Sequence, residues 1–373
     1  MTTSFQKKTR LLQIPGTKPS LQNNQLLVST GVPSLDSVLG GGIAVGTVLL
    51  IEEDTYGSYS KLLLKYFLAE GAVCKHHLFL SSADAKPEKL LKELPGVIVD
   101  EPEHANPTEN VQGGSGDLKI AWRYQHTPQV SSNLGVNKYG HYYDLTKTLD
   151  PSIIESTKRT LHYVSDETTK KSPVMNQHYA DVLKQIESTI NDGGFSTTTQ
   201  AAGQSRNILR IGLNSLGSPL WGERGGSDPS LVRFLFSLRA LLRSSFAVCL
   251  VTMPTHLFQE VSFVKRVEHM CDTIVHLESF AGSSREKNPA FSEYHGLFNI
   301  VKLPRLNSLI CHIPDTLDLA FKLKRKKFLI ERLHLPPELQ DTASRNQEDP
   351  VLPMLKNTGL GCSTSTGNNK LDF

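Results

Sequence analysis

Val48-Leu49-Leu50-Ile51-Glu52-Glu53-Asp54-Thr55-Tyr56-Gly57-Ser58-Tyr59-Ser60-Lys61 reads as a strand, a tight polar turn and the first residues of an apolar helix. That is the place of a phosphate loop, G-x-x-x-x-G-K-[ST], in which backbone amides cradle the phosphates, the lysine neutralises the β and γ oxygens and the hydroxyl holds magnesium. Laid over residues 53–60, the pattern keeps only its last member, Ser60. Glu53 stands for the first glycine, Ser58 for the second and Tyr59 for the lysine. Lys61 follows one residue late, and on a helix that offset turns a side chain by about 100°. The apolar centre of the strand suits a parallel strand covered on both faces. The stretch predicts a nucleotide-binding frame with a degenerate phosphate loop.

Working outward, Leu26-Leu27-Val28 is a short strand, and residues 33–39 form a small helix with Leu35, Val38 and Leu39 on one face, ended by Gly40-Gly41-Gly42. Downstream, a helix over 60–69 with Gly71 as its C-terminal cap, a strand at 77–82 and a helix entered through Pro87 continue the alternation. It resumes with strands at 208–213, 247–252 and 272–277 and helices over 231–242 and 261–270. Alternating strands and helices predict a parallel sheet with right-handed crossovers, and residues 297–303 and 317–335 read as antiparallel edge pieces. The expected fold is three-layered α/β around a mainly parallel central sheet.

Between 95 and 207 polar and turn-forming residues dominate over a length that argues for an insertion, partly ordered, with a strand near 118–124 and an amphipathic helix over 179–190. Residues 1–25 read as a disordered basic arm and 340–373 as a disordered tail, leaving 26–339 as the domain.

At 373 residues and 38% apolar composition the chain can bury a sizeable core. The net charge is only +3, from 40 basic against 37 acidic residues, so attraction to nucleic acid must come from local patches. Five cysteines without a C-x-x-C pair, and an N-terminus without an apolar signal core, point to the cytosol or nucleus. No apolar run approaches the roughly 20 residues of a membrane helix. His76, His77 and the Gly140-His141-Tyr142-Tyr143-Asp144 run lack ligand spacing to any cysteine, so no metal is expected.

Thr30-Gly31-x-Pro33-x-Leu35-Asp36-x-x-Leu39-Gly40-Gly41-Gly42 resembles the entry to RecA-like domains. Three further stretches are more specific: Val45-Gly-Thr-Val-Leu-Leu-Ile-Glu-Glu-Asp54, Asn207-Ile-Leu-Arg-Ile-Gly-Leu-Asn-Ser-Leu-Gly-Ser-Pro-Leu-Trp-Gly222, and Asp318-Leu-Ala-Phe-Lys-Leu-Lys-Arg-Lys-Lys-Phe328 with Ile330-Glu-Arg-Leu-His-Leu-Pro-Pro337. Together they resemble the family of the fourth subunit of Elongator, the eukaryotic tRNA-modifying complex (PAXNEB family). The resemblance implies a RecA-like subunit joining two paralogous subunits, each in two copies, in a six-membered ring. In that family the ring binds tRNA and docks on the catalytic subcomplex, which begins a 5-carboxymethyl side chain on the wobble uridine, U34. It implies a cytoplasmic and nuclear protein with no firmly bound cofactor, while ATP at an interface between ring subunits stays open.

Turnover by a RecA-like site needs a phosphate-loop lysine, a magnesium-binding carboxylate and a carboxylate that polarises water. Asn214, ending the 208–213 strand, is a poorer magnesium ligand than aspartate. Asp84, after the 77–82 strand, is the only available base. Gly57, Ser58, Tyr59, Ser60, Asp84 and Asn214 thus mark a degenerate nucleotide site and favour a non-catalytic subunit. The alternative is an ATPase whose turnover releases or remodels RNA. A DNA-recombination accessory has no support beyond the frame. Helix-start amides at Gly57, Ser58 and Ser60 could hold a phosphate weakly, or Tyr56 and Tyr59 fill the vacated pocket. Arg233, Arg239, Arg243 and Arg266 are candidates for an arginine acting in trans, or members of a solvated helix face. Lys322, Lys324 and Lys326 alternate with Phe321 and Leu323, which on a strand gives an ammonium face suited to an RNA backbone or to protecting an edge strand. Lys7, Lys8 and Arg10 offer a second basic contact or a solvated tail.

Overall fold

The computed structural model describes residues 14–20, 25–98, 139–164, 175–198, 206–222, 229–307 and 312–334. A small antiparallel sheet comes first, of β1 (Thr17–Pro19), β2 (Leu26–Val28) and β3 (Ile43–Ala44), with α1 (Pro33–Val38) between the last two. Next come β4 (Val48–Glu52), α2 (Ser58–Val73), β5 (His77–Ser82) and α3 (Pro87–Lys92), then an antiparallel ribbon of β6 (Pro95–Val97) and β7 (Tyr143–Thr148). α4 (Pro151–Ser156), β8 (Arg159–Tyr163), α5 (Gln177–Asp192), β9 (Leu209–Asn214), α6 (Ser230–Arg243), β10 (Ala247–Met253) and α7 (Val261–Met270) continue the alternation. β11 (Thr273–Ser279), β12 (Gly296–Lys302), β13 (Leu319–Leu323) and β14 (Phe328–Arg332) end it.

The central sheet has nine strands in the order β14-β13-β12-β11-β4-β10-β9-β5-β8. Every pairing from β11 to β8 is parallel, and β12, β13 and β14 add antiparallel neighbours at one edge. This is the expected α/β sheet with antiparallel C-terminal edge strands.

Strand side chains alternate between two cores, as a period of two requires. Leu49 and Ile51 enter the core that α2 covers with Leu63, Leu64, Phe67 and Leu68, whereas Val48 and Leu50 enter the one covered by α5, α6 and α7. Because residues 48–51 of β4 are buried on both faces they are apolar, and Glu52 ends the strand toward the site. Each fully buried Leu or Ile contributes about 1.5–3 kcal/mol.

Asp36 shows why the entry motif needs its residues. Its buried carboxylate accepts the Thr30 amide and hydroxyl, each at 2.7 Å, and the Ser29 hydroxyl, pinning the turn before α1. Gly31, at φ +83°, lies so close to α2 that a Cβ would sit 2.4 Å from the Tyr66 carbonyl.

Three local expectations change. Gly71 is no cap, since α2 runs on to Val73. It sits inside the helix because a Cβ would meet Leu78 at 2.6 Å and Arg210 at 2.7 Å. Residues 14–20, expected in a disordered arm, include β1, with Ile14 buried and the Lys18 ammonium 4.1 Å from the centre of the Tyr139 ring. The 95–207 segment supplies β8 to the central sheet and α5 to its covering layer, the latter burying Tyr179, Val182, Ile186 and Ile190 as its periodicity predicts. The strand expected near 118–124, the tail at 340–373 and Lys7, Lys8 and Arg10 lie outside the described residues. No helix among the described residues is long and apolar enough to cross a membrane.

Candidate functional site

β4 delivers Glu53 and Asp54 to the start of α2, and Gly57 turns the chain into the helix through a left-handed φ of +61°. Free amides at a helix N-terminus attract an anion. The chain supplies that anion itself. Asp54, 1% exposed, accepts the Ser58 amide at 3.1 Å through Oδ2, and the Tyr59 and Ser60 amides at 3.1 and 3.2 Å through Oδ1. The groups that would cradle a phosphate are therefore already bonded to a carboxylate. Tyr56 does not fill the pocket, being 66% exposed. Tyr59 turns away to the edge strands, its ring 4.6 Å from that of Phe321 and 6.4 Å from that of Phe328. The Ser60 hydroxyl is buried with no hydrogen-bond partner among the described residues.

Asp84 and Asn214 come together because β5 and β9 are parallel neighbours with Ser82 opposite Asn214. The Asn214 amide donates to the Ser82 hydroxyl at 3.2 Å and to Asp84, and the Ser82 hydroxyl donates to Asp84 at 2.7 Å. Lys61 completes the group with an ion pair to Asp84 at 2.7 Å. Partial burial alone would raise the Asp84 carboxyl; the bonds from Lys61 and Ser82 outweigh it and hold the group below its ordinary range. A carboxylate so engaged is a weak base for water. Beside it, burial pushes the Glu53 carboxyl up, with Asp54 and Asp84 adding to the rise against hydrogen bonds from Thr252 and Ser215. Three carboxylates thus converge where a triphosphate would place its own negative charge. A triphosphate does not fit beside these carboxylates, which would repel its charge.

Asp54→Ala, which leaves three helix-start amides without their acceptor, is expected to lower stability by about 1–2 kcal/mol. Urea unfolding reads the loss, and Asp54→Asn, with one acceptor oxygen left, should recover part of it. Equal losses in the two variants would count against the hydrogen-bonding role.

The four arginines separate. Arg239 and Arg243 both hold Asp272 Oδ1, at 2.9 and 2.6 Å, and Arg243 also donates to the Gly46 carbonyl at 3.0 Å. Asp272 in turn accepts the Val48 amide at 3.1 Å, so these two arginines brace the start of β4. Arg233 and Arg266 lie exposed on α6 and α7, and Arg266 only approaches Glu260, at 3.9 Å. Lys322 does not belong to a basic row: it pairs with Glu331 at 2.5 Å, while Lys324 and Lys326 lie in the turn beyond β13.

A second polar cluster lies under α2 that sequence spacing did not disclose. Glu70 accepts the His141 amide at 3.1 Å, its ring Nδ1–H at 3.1 Å, the Tyr143 hydroxyl at 2.7 Å and the Cys74 thiol at 3.4 Å. His141 and Cys74 are thus neighbours in space, and with Glu70 they bring three ligand-type atoms within 4.8 Å of one another, against the expectation drawn from spacing. Burial pushes the Cys74 thiol far up and keeps it protonated. Arg210 supplies the balancing positive charge from β9, acting on Glu70 through its charge, while its Nη2 is buried with no hydrogen-bond partner among the described residues. The guanidinium donates to the Ser29 and Phe67 carbonyls at 2.8 and 3.1 Å and to His76 Nδ1 at 2.9 Å.

Fold and site together define an α/β protein with a mainly parallel nine-stranded sheet in which the carboxylate of Asp54 occupies the amides that open α2. The PAXNEB protein family model matches residues 10–373. The chain is 48% identical to Elongator complex protein 4 of Danio rerio, covering 100% of this chain and 96% of that one. It is 46% identical to the Homo sapiens protein of that name (98% and 90%) and 35% identical to the Drosophila melanogaster one (92% and 95%). Among solved structures, a KaiC-like protein of Pyrococcus horikoshii aligns with a TM-score of 0.46 at 13% identity, over 82% of this chain and 98% of the other. The chain belongs to the PAXNEB family, the family of Elongator complex protein 4.

Proposed function

We propose that this chain is a non-catalytic RecA-like subunit of the Elongator complex, supporting tRNA binding and carboxymethyl-type modification of the wobble uridine U34. It sits with two paralogous RecA-like subunits in a six-membered ring that docks on the catalytic subcomplex, in the cytoplasm and nucleus. The relatives named Elongator complex protein 4 support the complex. The observation that carries the non-catalytic reading is Asp54 on the three amides that open α2. Any ATP the ring uses is held at an interface between subunits, where the exposed Arg266 is better disposed to act in trans than Arg239 and Arg243, which brace β4.

The test measures ATP turnover and tRNA binding by the chain alone and by the ring rebuilt with its two presumed partners. The expected result is an inert lone chain and a tRNA-binding ring. Magnesium-dependent hydrolysis by the lone chain would replace this reading with the ATPase one.

A further inference from the structure

The β13–β14 hairpin ends in Lys324-Arg325-Lys326-Lys327, a turn closed by reciprocal backbone hydrogen bonds of 2.9 and 3.2 Å between Lys324 and Lys327. All four residues are exposed, and so is Lys147 on β7, whose strand is tied to the turn by the Leu145 amide donating to the Lys326 carbonyl at 2.8 Å. The turn is therefore held from two sides. Among the described residues none of these five cations has an ion-pair partner. The nearby Asp144 accepts the Thr146 amide at 2.9 Å and hydroxyl at 2.6 Å, both on Oδ1, and the charges of Lys326 and Lys147 act on it without forming an ion pair.

Edge protection does not account for this charge. β14 is the last strand of the sheet, and its outward amides already have partners: Phe328 donates to the Tyr66 hydroxyl at 3.2 Å and Ile330 to the Ser34 hydroxyl at 3.1 Å. The cations lie at the tip, not along that edge. A protein partner would need a desolvated apolar centre within the contact, and here the turn is flanked by buried Phe328 and by Leu323, only 37% exposed. A polyphosphate needs only charge. With Phe328 buried, no aromatic ring of the turn is open to bases, and stacking by the Arg325 guanidinium would be tolerant of sequence.

The geometry points to the 324–327 turn, with Lys147 beside it, as a contact for the phosphate backbone of an RNA, made without regard to base sequence. This rests on the tRNA-binding reading above and gives it a surface. Lys322, neutralised by Glu331, takes no part.

The test places K324A/R325A/K326A/K327A in the full chain, rebuilds the ring, and titrates a tRNA transcript and an unrelated RNA of equal length at several salt concentrations. Binding of both RNAs should weaken about tenfold or more, and the slope of log affinity against log salt should fall by about 2–4, near 0.9 per lost phosphate contact. Lys322→Ala should leave both unchanged. Unaltered affinity and slope in a folded, assembled variant would overturn the proposal while leaving tRNA binding by the ring intact. A variant that loses binding to poly-glutamate but keeps RNA would overturn it in favour of an acidic protein partner. If the unmodified ring binds no tRNA, the functional reading and this surface fall together.

Discussion

Arg210→Met is expected to lower the unfolding free energy by about 3–5 kcal/mol, the range for breaking a buried charged network from one side. Arg210 is fully buried on β9, and its guanidinium serves two backbone carbonyls and His76 while stacking 4.8 Å from the centre of the Phe67 ring. Methionine replaces most of the packing but none of the bonds. It also strands the negative charge of Glu70, a group that burial would raise but that His141 and the Arg210 charge hold down at about 2. Urea unfolding of the single variants Arg210→Met and Glu70→Gln and of the pair measures this. The double loss should fall short of the sum by 1 kcal/mol or more, because the second change removes a charge the first left uncompensated. A single loss below about 1 kcal/mol, or strict additivity, would refute the coupling.

Legibility followed the reach of each interaction. α7 and β10 announced themselves through unbroken local pattern, and the Ser82–Asn214 neighbourhood through two strand ends of one parallel sheet. Gly71 misled because a glycine late in an apolar helix resembles a cap, while the reason for it, the approach of Arg210 and Leu78, comes from distant strands. The one-residue offset that carries Lys61 from a phosphate site also carries it to Asp84. Asp54 carries no local signal of its role, because it stands three residues ahead of the Gly57 N-cap and reaches the helix-start amides only through the turn between them. Arg210 inside Leu209-Arg210-Ile211 carried a signal. A cation in an apolar central strand requires a buried acceptor set, though nothing in the spacing pointed to Glu70 and His76.

Acidification should unfold the protein in two stages that begin on different residues. His76 is buried, donates Nε2–H to the Pro15 carbonyl at 2.7 Å and receives the Arg210 Nε–H on Nδ1 at 2.9 Å, so its neutral tautomer is fixed by its partners. Burial, then the charge of Arg210, drives it down to about 3 from an ordinary 6.5. The unfolded chain therefore binds a proton that the folded one refuses. Stability is complete above pH 6.5 and falls as pH drops from there toward 3, by up to about 1.4 kcal/mol per pH unit. Glu70 adds its own loss only between its ordinary 4.5 and about 2, because above 4.5 it is ionised in both states. Between pH 6.5 and 4.5 the lowered histidines act without it: His77 and His162, also lowered by burial, add to the slope, whereas His276, raised by its bond to Glu52, acts only above pH 6.5 and is charged in both states below it. His76→Gln isolates the main contributor, since an amide offers one acceptor for Arg210 and one donor for Pro15 and does not titrate. Urea midpoints at pH 7.0, 5.5 and 4.5 should show the variant near the parent at neutral pH and losing about 2 kcal/mol less by pH 4.5. Parallel curves for the two proteins would remove His76 from the account of acid unfolding.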